Sequence, residues 1–366
     1  MQGLIGGGET HALAAGHGWS NGLDFGSEDV PLQRLVAHWI NLPKLWPGQP
    51  VGSPIVDSDG FSRSARSWQA TAGVWRIRLD SRADLDEVLA VCKRNRTFAI
   101  THVMEVRRTD GATFTGTQAD QLLTILQIAV SFALGRWSCP AAPVGYTPDG
   151  KAGWSRWGPS HCDHPDLGSD RWWFEHRGQD LAETIEGFLR HWEDETRRQP
   201  LSFAATSAII ASGKGFVEQR LVTVTSALEH LCWVTQVLEG DVSERAFKKL
   251  DAHDRLRQLL TSMKVALNID PVYLPALAAH AAGQDNCDGP RAVAQVRNEL
   301  VHPKDTRALY DRPHLVSEAA RLAARYLDLA ILWRIGFTGE TMDRTKLPGW
   351  VGDTEQVPWS SDPESG

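Results

Sequence analysis

A chain of 366 residues is long for one domain and comfortable for two, with enough length to bury a substantial core. Hydrophobic residues at 42% and charged residues at 23% describe an ordinary soluble globular composition. The formal charge of −7 excludes a globally basic nucleic-acid binder, so any contact with RNA must come from a local patch.

The first residues, Met1 to Gly8, lack the basic and apolar segments of a secretory signal. No stretch approaches ~18 uninterrupted apolar residues, so the expectation is a cytoplasmic protein without a membrane span. Five dispersed cysteines (Cys92, Cys139, Cys162, Cys232, Cys287) contain no CxxC pair and suit free thiols better than a disulfide framework. Residues 1–70 are rich in Gly, Pro, Ser and Asp, with short apolar pieces such as Leu35 to Ile40, and read as short strands and loops. Val74-Trp75-Arg76-Ile77-Arg78-Leu79 alternates as a half-buried strand does. Ser81 is placed to cap a helix that carries Leu85, Val88, Leu89 and Cys92 on one face. Thr109-Asp110-Gly111 reads as a hairpin turn between residues 97–108 and 112–116. Gln121 to Leu134 is apolar nearly all round, which predicts a buried helix against a sheet. The N-terminal region, residues 1–199, is thus expected to be α+β and β-rich.

Trp137, Trp154, Trp157, Trp172 and Trp173 crowd the glycine- and proline-rich stretch 136–180. They are either an aromatic stacking surface or the filling of a loop-rich core. His161-Cys162-Asp163-His164 offers four ligand types in a row, but adjacent ligands rarely converge on one tetrahedral ion. Leu181, Ile185, Phe188, Leu189 and Trp192 then form a helical stripe, and Pro200 reads as a boundary after the charged run Glu193 to Arg198.

From residue 200 onward the periodicity is helical, which predicts an all-α bundle to residue 366. Leu221, Val224, Leu228, Leu231, Thr235 and Leu238 make the seam of a long helix over 216–239. A second helix is expected from Glu244 to Leu267, a short one from Asp270-Pro271 to Ala282, and a last long one from Leu315 to Ile335. Between the last two, Asp288-Gly289-Pro290 is a helix start, with Asp288 as cap and proline in the first turn. Val293, Val296 and Leu300 recur at helical spacing, and Pro303 ends the helix at or before His302. Asn298 and His302 share a face, and Arg297 lies beside them with a bidentate-capable arm. A helix C-terminus favours the imidazolium form of His302. After Gly336 the chain reads as an extended strap.

Arg297-Asn298-x-x-x-His302 resembles the R-x4-6-H motif of HEPN domains, all-α modules that include metal-independent ribonucleases. The likeness runs over roughly residues 201–359 and points to the ApeA-like branch of the family. Ser226-Ala227-Leu228-Glu229-His230-Leu231 and Leu256-Arg257-Gln258-Leu259-Leu260 resemble successive helices of that branch. Gly336-Phe337-Thr338-Gly339 through Arg344, with Val357-Pro358-Trp359, resembles its tail. The resemblance implies a HEPN-like C-terminal domain that cleaves RNA, transfer RNA included, with no metal or other cofactor. It implies a site of Arg297, Asn298 and His302 completed across a homodimer or higher assembly, with Glu229 holding Arg297. It also implies a role in anti-phage defence by abortive infection, in which the N-terminal region senses a phage-derived trigger or restrains the nuclease. A helix-terminal histidine beside a solvated arginine, in a non-catalytic dimerisation or partner-binding scaffold, is the alternative. A metal-dependent hydrolase built on His161, Cys162 and His164 is the third reading.

Overall fold

A computed structural model describes residues 23–45, 67–158, 160–165, 171–305, 307, 309–346 and 353–360. By packing the chain divides into two units, the first running to Leu189 and the second from Arg190. Phe132–Arg136 and a stretch ending at Phe174 belong to the second.

In the first unit, strands β1 (Leu23–Gly26), β2 (Arg34–Ile40), β3 (Ser67–Ala72), β4 (Trp75–Ser81), β5 (Ile100–Arg108), β6 (Pro140–Tyr146) and β7 (Ala152–Trp157) form one antiparallel sheet. Its order is β1-β7-β6-β2-β5-β4-β3. Period-two patterning sets the register: Leu35, Ala37 and Trp39 of β2 and Met104 and Val106 of β5 turn into the core. The Trp39 indole N–H reaches Met104 Sδ at 3.2 Å. Helices α1 (Leu85–Asn95), α2 (Gly116–Leu134) and α3 (Gly178–Trp192) complete the elements, so this unit is α+β. The expected α2 is buried nearly throughout, and its Gly116 sits so near the Trp154 indole that a Cβ would lie 2.6 Å from the ring.

Two expectations change here, and the tryptophans take the core-filling reading. Ser81 ends β4 and does not cap α1, whose cap position is Asp84 with no side-chain bond. The turn at Thr109 closes no hairpin, because Phe114 exchanges both backbone bonds with Leu32, at 2.7 and 2.9 Å. Trp154, Trp172 and Trp173 are at most 2% exposed and fill cores, which leaves no continuous stacking surface among the five. Trp157 alone of the set is open, at 56%. Of residues 1–70, positions 1–22 and 46–66 lie outside the described residues.

The second unit is mostly helical: α4 (Glu195–Ser212), α5 (Val217–Trp233), α6 (Glu244–Lys249), α7 (Ala252–Ser262), α8 (Pro275–Ala282), α9 (Gly289–Val301) and α10 (Leu315–Arg334). A short pair, β8 (Glu340–Met342) and β9 (Thr354–Gln356), follows. Helix α10 is buried almost end to end and packs on α4, α5, α8 and α9, so it is the centre of the bundle. Val217–Leu238 is long and apolar enough to cross a membrane by length and composition, but its Leu221, Val224, Leu228 and Leu231 seam packs inside the bundle. The strap after Gly336 is tied down by buried charge. Arg325 donates to Thr341 Oγ1 at 2.9 Å and to the Met342 carbonyl at 3.0 Å, and Arg344 donates to Asp328 at 2.9 Å.

Several boundaries differ from the periodicity. Pro200 lies inside α4, which Asp194 starts by accepting the Thr196 N–H at 2.9 Å. The proline forgoes one backbone bond without ending the helix. The helix expected over Glu244 to Leu267 breaks at an extended Leu250 (φ −78, ψ 142), with separate starts at Ser243 and Asp251. The next begins at Pro275 rather than Asp270, whose carboxylate instead closes a turn on the Val272 N–H at 2.8 Å. The α5 seam stops at Leu231: a π-helical turn over Val234–Leu238 leaves Leu238 66% exposed.

Candidate active site

The motif helix α9 starts as its sequence dictates. Asp288 accepts the Arg291 N–H at 3.0 Å, Pro290 occupies the first turn, and Ala292, Val293 and Val296 are buried against the bundle. The cap is itself pinned, because Arg257 of α7 donates to Asp288 through Nε at 2.7 Å and Nη2 at 3.2 Å. Burial works to raise the Asp288 carboxyl, but the Arg257 guanidinium and the Arg291 N–H outweigh it and hold the group below its ordinary value. Gly289 fits under Tyr326, whose Oη lies 2.1 Å from where a Cβ would stand.

Arg297 emerges from the next turn at the edge of this apolar face. Its Nη1 donates to Asn298 Oδ1 at 3.1 Å, and its Nη2 lies 4.0 Å from Glu229 Oε1 on α5. Its Nε is buried and has no protein acceptor. These three side chains line a narrow cleft with Thr225, Leu228 and Cys232 of α5 and Leu256 of α7. Burial pushes the Cys232 thiol up to about 12, so it faces the cleft as a neutral group. The ladder ends at His302, whose N–H donates to the Asn298 carbonyl at 2.8 Å while its backbone leaves helical geometry (φ −128, ψ 64). Its imidazole is exposed, as are Pro303 and Lys304 after it. Arg297 therefore bonds to Asn298 and pairs loosely with Glu229, and His302 stands one turn beyond Asn298 at the open end of the same helix.

In the 161–164 loop Cys162 and Asp163 bond to other parts of the unit, while the buried His164 Nδ1 has no protein partner. Asp163 Oδ2 accepts the Trp137 N–H at 2.9 Å, its carbonyl accepts from Asn41 at 3.0 Å, and Cys162 Sγ faces the Ile40 carbonyl at 3.7 Å. Among the described residues, the group able to bring three metal-ligating side chains together is elsewhere, at Asp251, His253 and Asp254. That corner borders a polar hollow of about 290 Å³ whose walls include Arg291, Gln295 and Asn298. It was not legible as part of the site, because about forty residues separate its two halves; only the folded pairing of α7 with α9 unites them.

Fold and site thus define a two-part protein, an antiparallel α+β unit followed by a helical bundle with an arginine–amide–histidine corner at the end of one short helix. Residues 27–167 match the YopA central domain family and residues 195–356 the YopA C-terminal domain family. Glu229, Arg297, Asn298 and His302 all fall in the second match. The chain is similar to the SPbeta prophage-derived uncharacterized protein YopA of Bacillus subtilis (strain 168), at 27% identity over 293 residues. The alignment covers 78% of this chain and 64% of that protein, so the chain spans less than two thirds of its relative's length. No solved structure matches the chain.

Proposed function

We propose that the protein is a metal-independent RNA endonuclease of the HEPN type, with Arg297, Asn298 and His302 at its active site and Glu229 positioning Arg297. The observation that carries this reading is the Arg297 guanidinium, held between Asn298 and Glu229 with a free Nε, on the helix that ends in an exposed His302. Cleavage by internal transfer needs the 2′-OH deprotonated, the 5′-oxygen protonated and the equatorial phosphorane charge stabilised. A histidine supplies one proton transfer, worth ~10²–10⁴-fold. Arginine and a side-chain amide donate to the developing charge. One copy supplies one histidine, so the second proton transfer falls to the His302 of a second chain in a homodimer or higher assembly. The products are a 2′,3′-cyclic phosphate and a 5′-OH. The biological setting proposed is anti-phage defence, with RNA, transfer RNA included, as substrate and the N-terminal unit answering a phage-derived trigger in the cytoplasm. A relative described as prophage-derived is in keeping with that setting.

Purified protein is incubated with bulk RNA and with transfer RNA in EDTA, beside His302→Ala and Arg297→Ala. Cleavage by the parent and loss of at least about a hundredfold in His302→Ala are expected. Equal cleavage by all three removes Arg297 and His302 from the chemistry. The second reading, a non-catalytic dimerisation or partner-binding scaffold, is favoured by an apolar cleft of about 480 Å³ beside the same helix. Ile210, Phe216, Val222, Leu300 and Val301 line it, and Phe216 is 75% exposed.

A further inference from the structure

The polar hollow between the start of α7 and the outer face of α9 adjoins the candidate active site: Ala252, Ala294 and Asn298 line both it and the cleft that holds Arg297. Its other walls are Asp251, His253, Arg291 and Gln295, and it is a half-open hollow of about 290 Å³. Asp251 stands at the cap position of α7, yet its carboxylate makes no capping bond and is exposed. A carboxylate oxygen of Asp251 lies within 4.8 Å of a ring nitrogen of His253 and an oxygen of Asp254. Asp254 is committed to Arg257, and Gln295 to Gln284 and Cys287. Arg291 spends Nη1 on the Asp285 carbonyl at 3.0 Å, which leaves its Nη2 and Nε for a ligand. The hollow thus presents one uncommitted carboxylate, one partly committed guanidinium and a half-buried imidazole.

A phosphate fits this set badly, since the Asp251 carboxylate lines the hollow and an Asp254 oxygen lies within 4.8 Å of it. A base carries the complementary donors and acceptors. Guanine offers two adjacent donors, N1–H and the 2-amino group, on one edge and two acceptors, O6 and N7, on the next. A carboxylate takes the first pair and a guanidinium the second, while an imidazole ring supports the face. Adenine, cytosine and uracil each set an acceptor against the carboxylate where guanine sets a donor. We infer that this hollow is a guanine-selecting subsite, bounded by Asp251, His253 and Arg291, which seats an unstacked base of the RNA next to the phosphate held at Arg297. The inference rests on the nuclease reading for its substrate, and it adds the sequence preference.

The full chain carrying His302→Ala is titrated in EDTA with short labelled single-stranded RNAs that differ at one position, guanosine, inosine or adenosine. Guanosine is expected to bind about tenfold tighter than adenosine, with inosine between them because it keeps N1–H and lacks the amine. Asp251→Asn should erase that preference and leave the adenosine oligomer within about twofold, as its side chain makes no cap bond to lose. Arg291→Ala is the second variant and should weaken guanosine selectively, while Asp288 still caps α9 through the Arg291 backbone. Equal binding of guanosine and adenosine, a preference untouched by Asp251→Asn, or a preference that appears only with added divalent cation overturns the subsite. The wild-type chain is then given the same RNAs in EDTA and its cuts are mapped. Guanine-dependent binding without cleavage overturns the nuclease and keeps the subsite; cleavage without base preference does the reverse.

Discussion

Replacing Glu229 by Gln separates holding Arg297 in place from holding the bundle together. The carboxylate and guanidinium are 4.0 Å apart, with side chains 43% and 23% exposed. At an effective dielectric of 20 the bare attraction is about 4 kcal/mol, but solvent screening at such exposure leaves about 0–1 kcal/mol. Glu229→Gln should therefore lower the melting temperature by no more than about 4 °C. Its effect on chemistry should be larger, because a guanidinium that loses one of two anchors samples orientations that miss the phosphate. A fall of about tenfold to a hundredfold in single-turnover cleavage of labelled RNA is expected. Since Glu229 acts through Arg297, the double variant with Arg297→Ala should cut no more slowly than Arg297→Ala alone. Cleavage within about twofold of the parent, or additive losses in the double variant, refutes this reasoning.

Three further outcomes test the frame around the site. His102 of β5 is 2% exposed, and burial holds its imidazole down to about 4 against the weaker pull of Asp80. The unfolded chain takes up this proton near 6.5 and the folded chain only near 4, so stability is full above about pH 6.5. It falls by on the order of 3 kcal/mol as pH drops towards 4. Urea midpoints at successive pH values should show that slope, and His102→Gln should flatten it. Asp328→Ala strands the buried Arg344 guanidinium and should cost about 3–5 kcal/mol in denaturant unfolding. Gly289→Ala drives a methyl into Tyr326 Oη and should cost about 1–3 kcal/mol, with cleavage falling as the start of α9 shifts.

Where local chemistry determined the structure, it could be read. Asp288-Gly289-Pro290 and Pro303 bracket α9 by capping and by proline sterics, and the structure places its ends there. Leu35 to Ile40 and Val74 to Leu79 alternate because one face of each strand is buried. Long-range pairing was out of reach of such signals. Gly111 marks a real turn, but whether Phe114 returned along β5 or crossed to Leu32 depended on a segment eighty residues away. The break at Leu250 was hidden because Leu250 and Leu256 keep an apolar rhythm across two helices, although Asp251 is the residue type that starts one. The π turn after Trp233 rotated Leu238 off a seam that spacing extended through it. Within the site, Arg297, Asn298 and His302 are neighbours in sequence. Glu229 came from the resemblance of its helix, and Asp251 and His253 came only from the fold.

The ends of the cut RNA test the central claim most directly. A chain labelled at either terminus is cleaved in EDTA, and the fragments are treated with enzymes that open cyclic phosphates or phosphorylate 5′-hydroxyls. Transfer to the 2′-oxygen at the Arg297–His302 corner predicts 2′,3′-cyclic phosphate and 5′-OH ends, both lost with His302→Ala. Fragments carrying 3′-OH and 5′-phosphate ends, or no His302-dependent fragments at all, would contradict it.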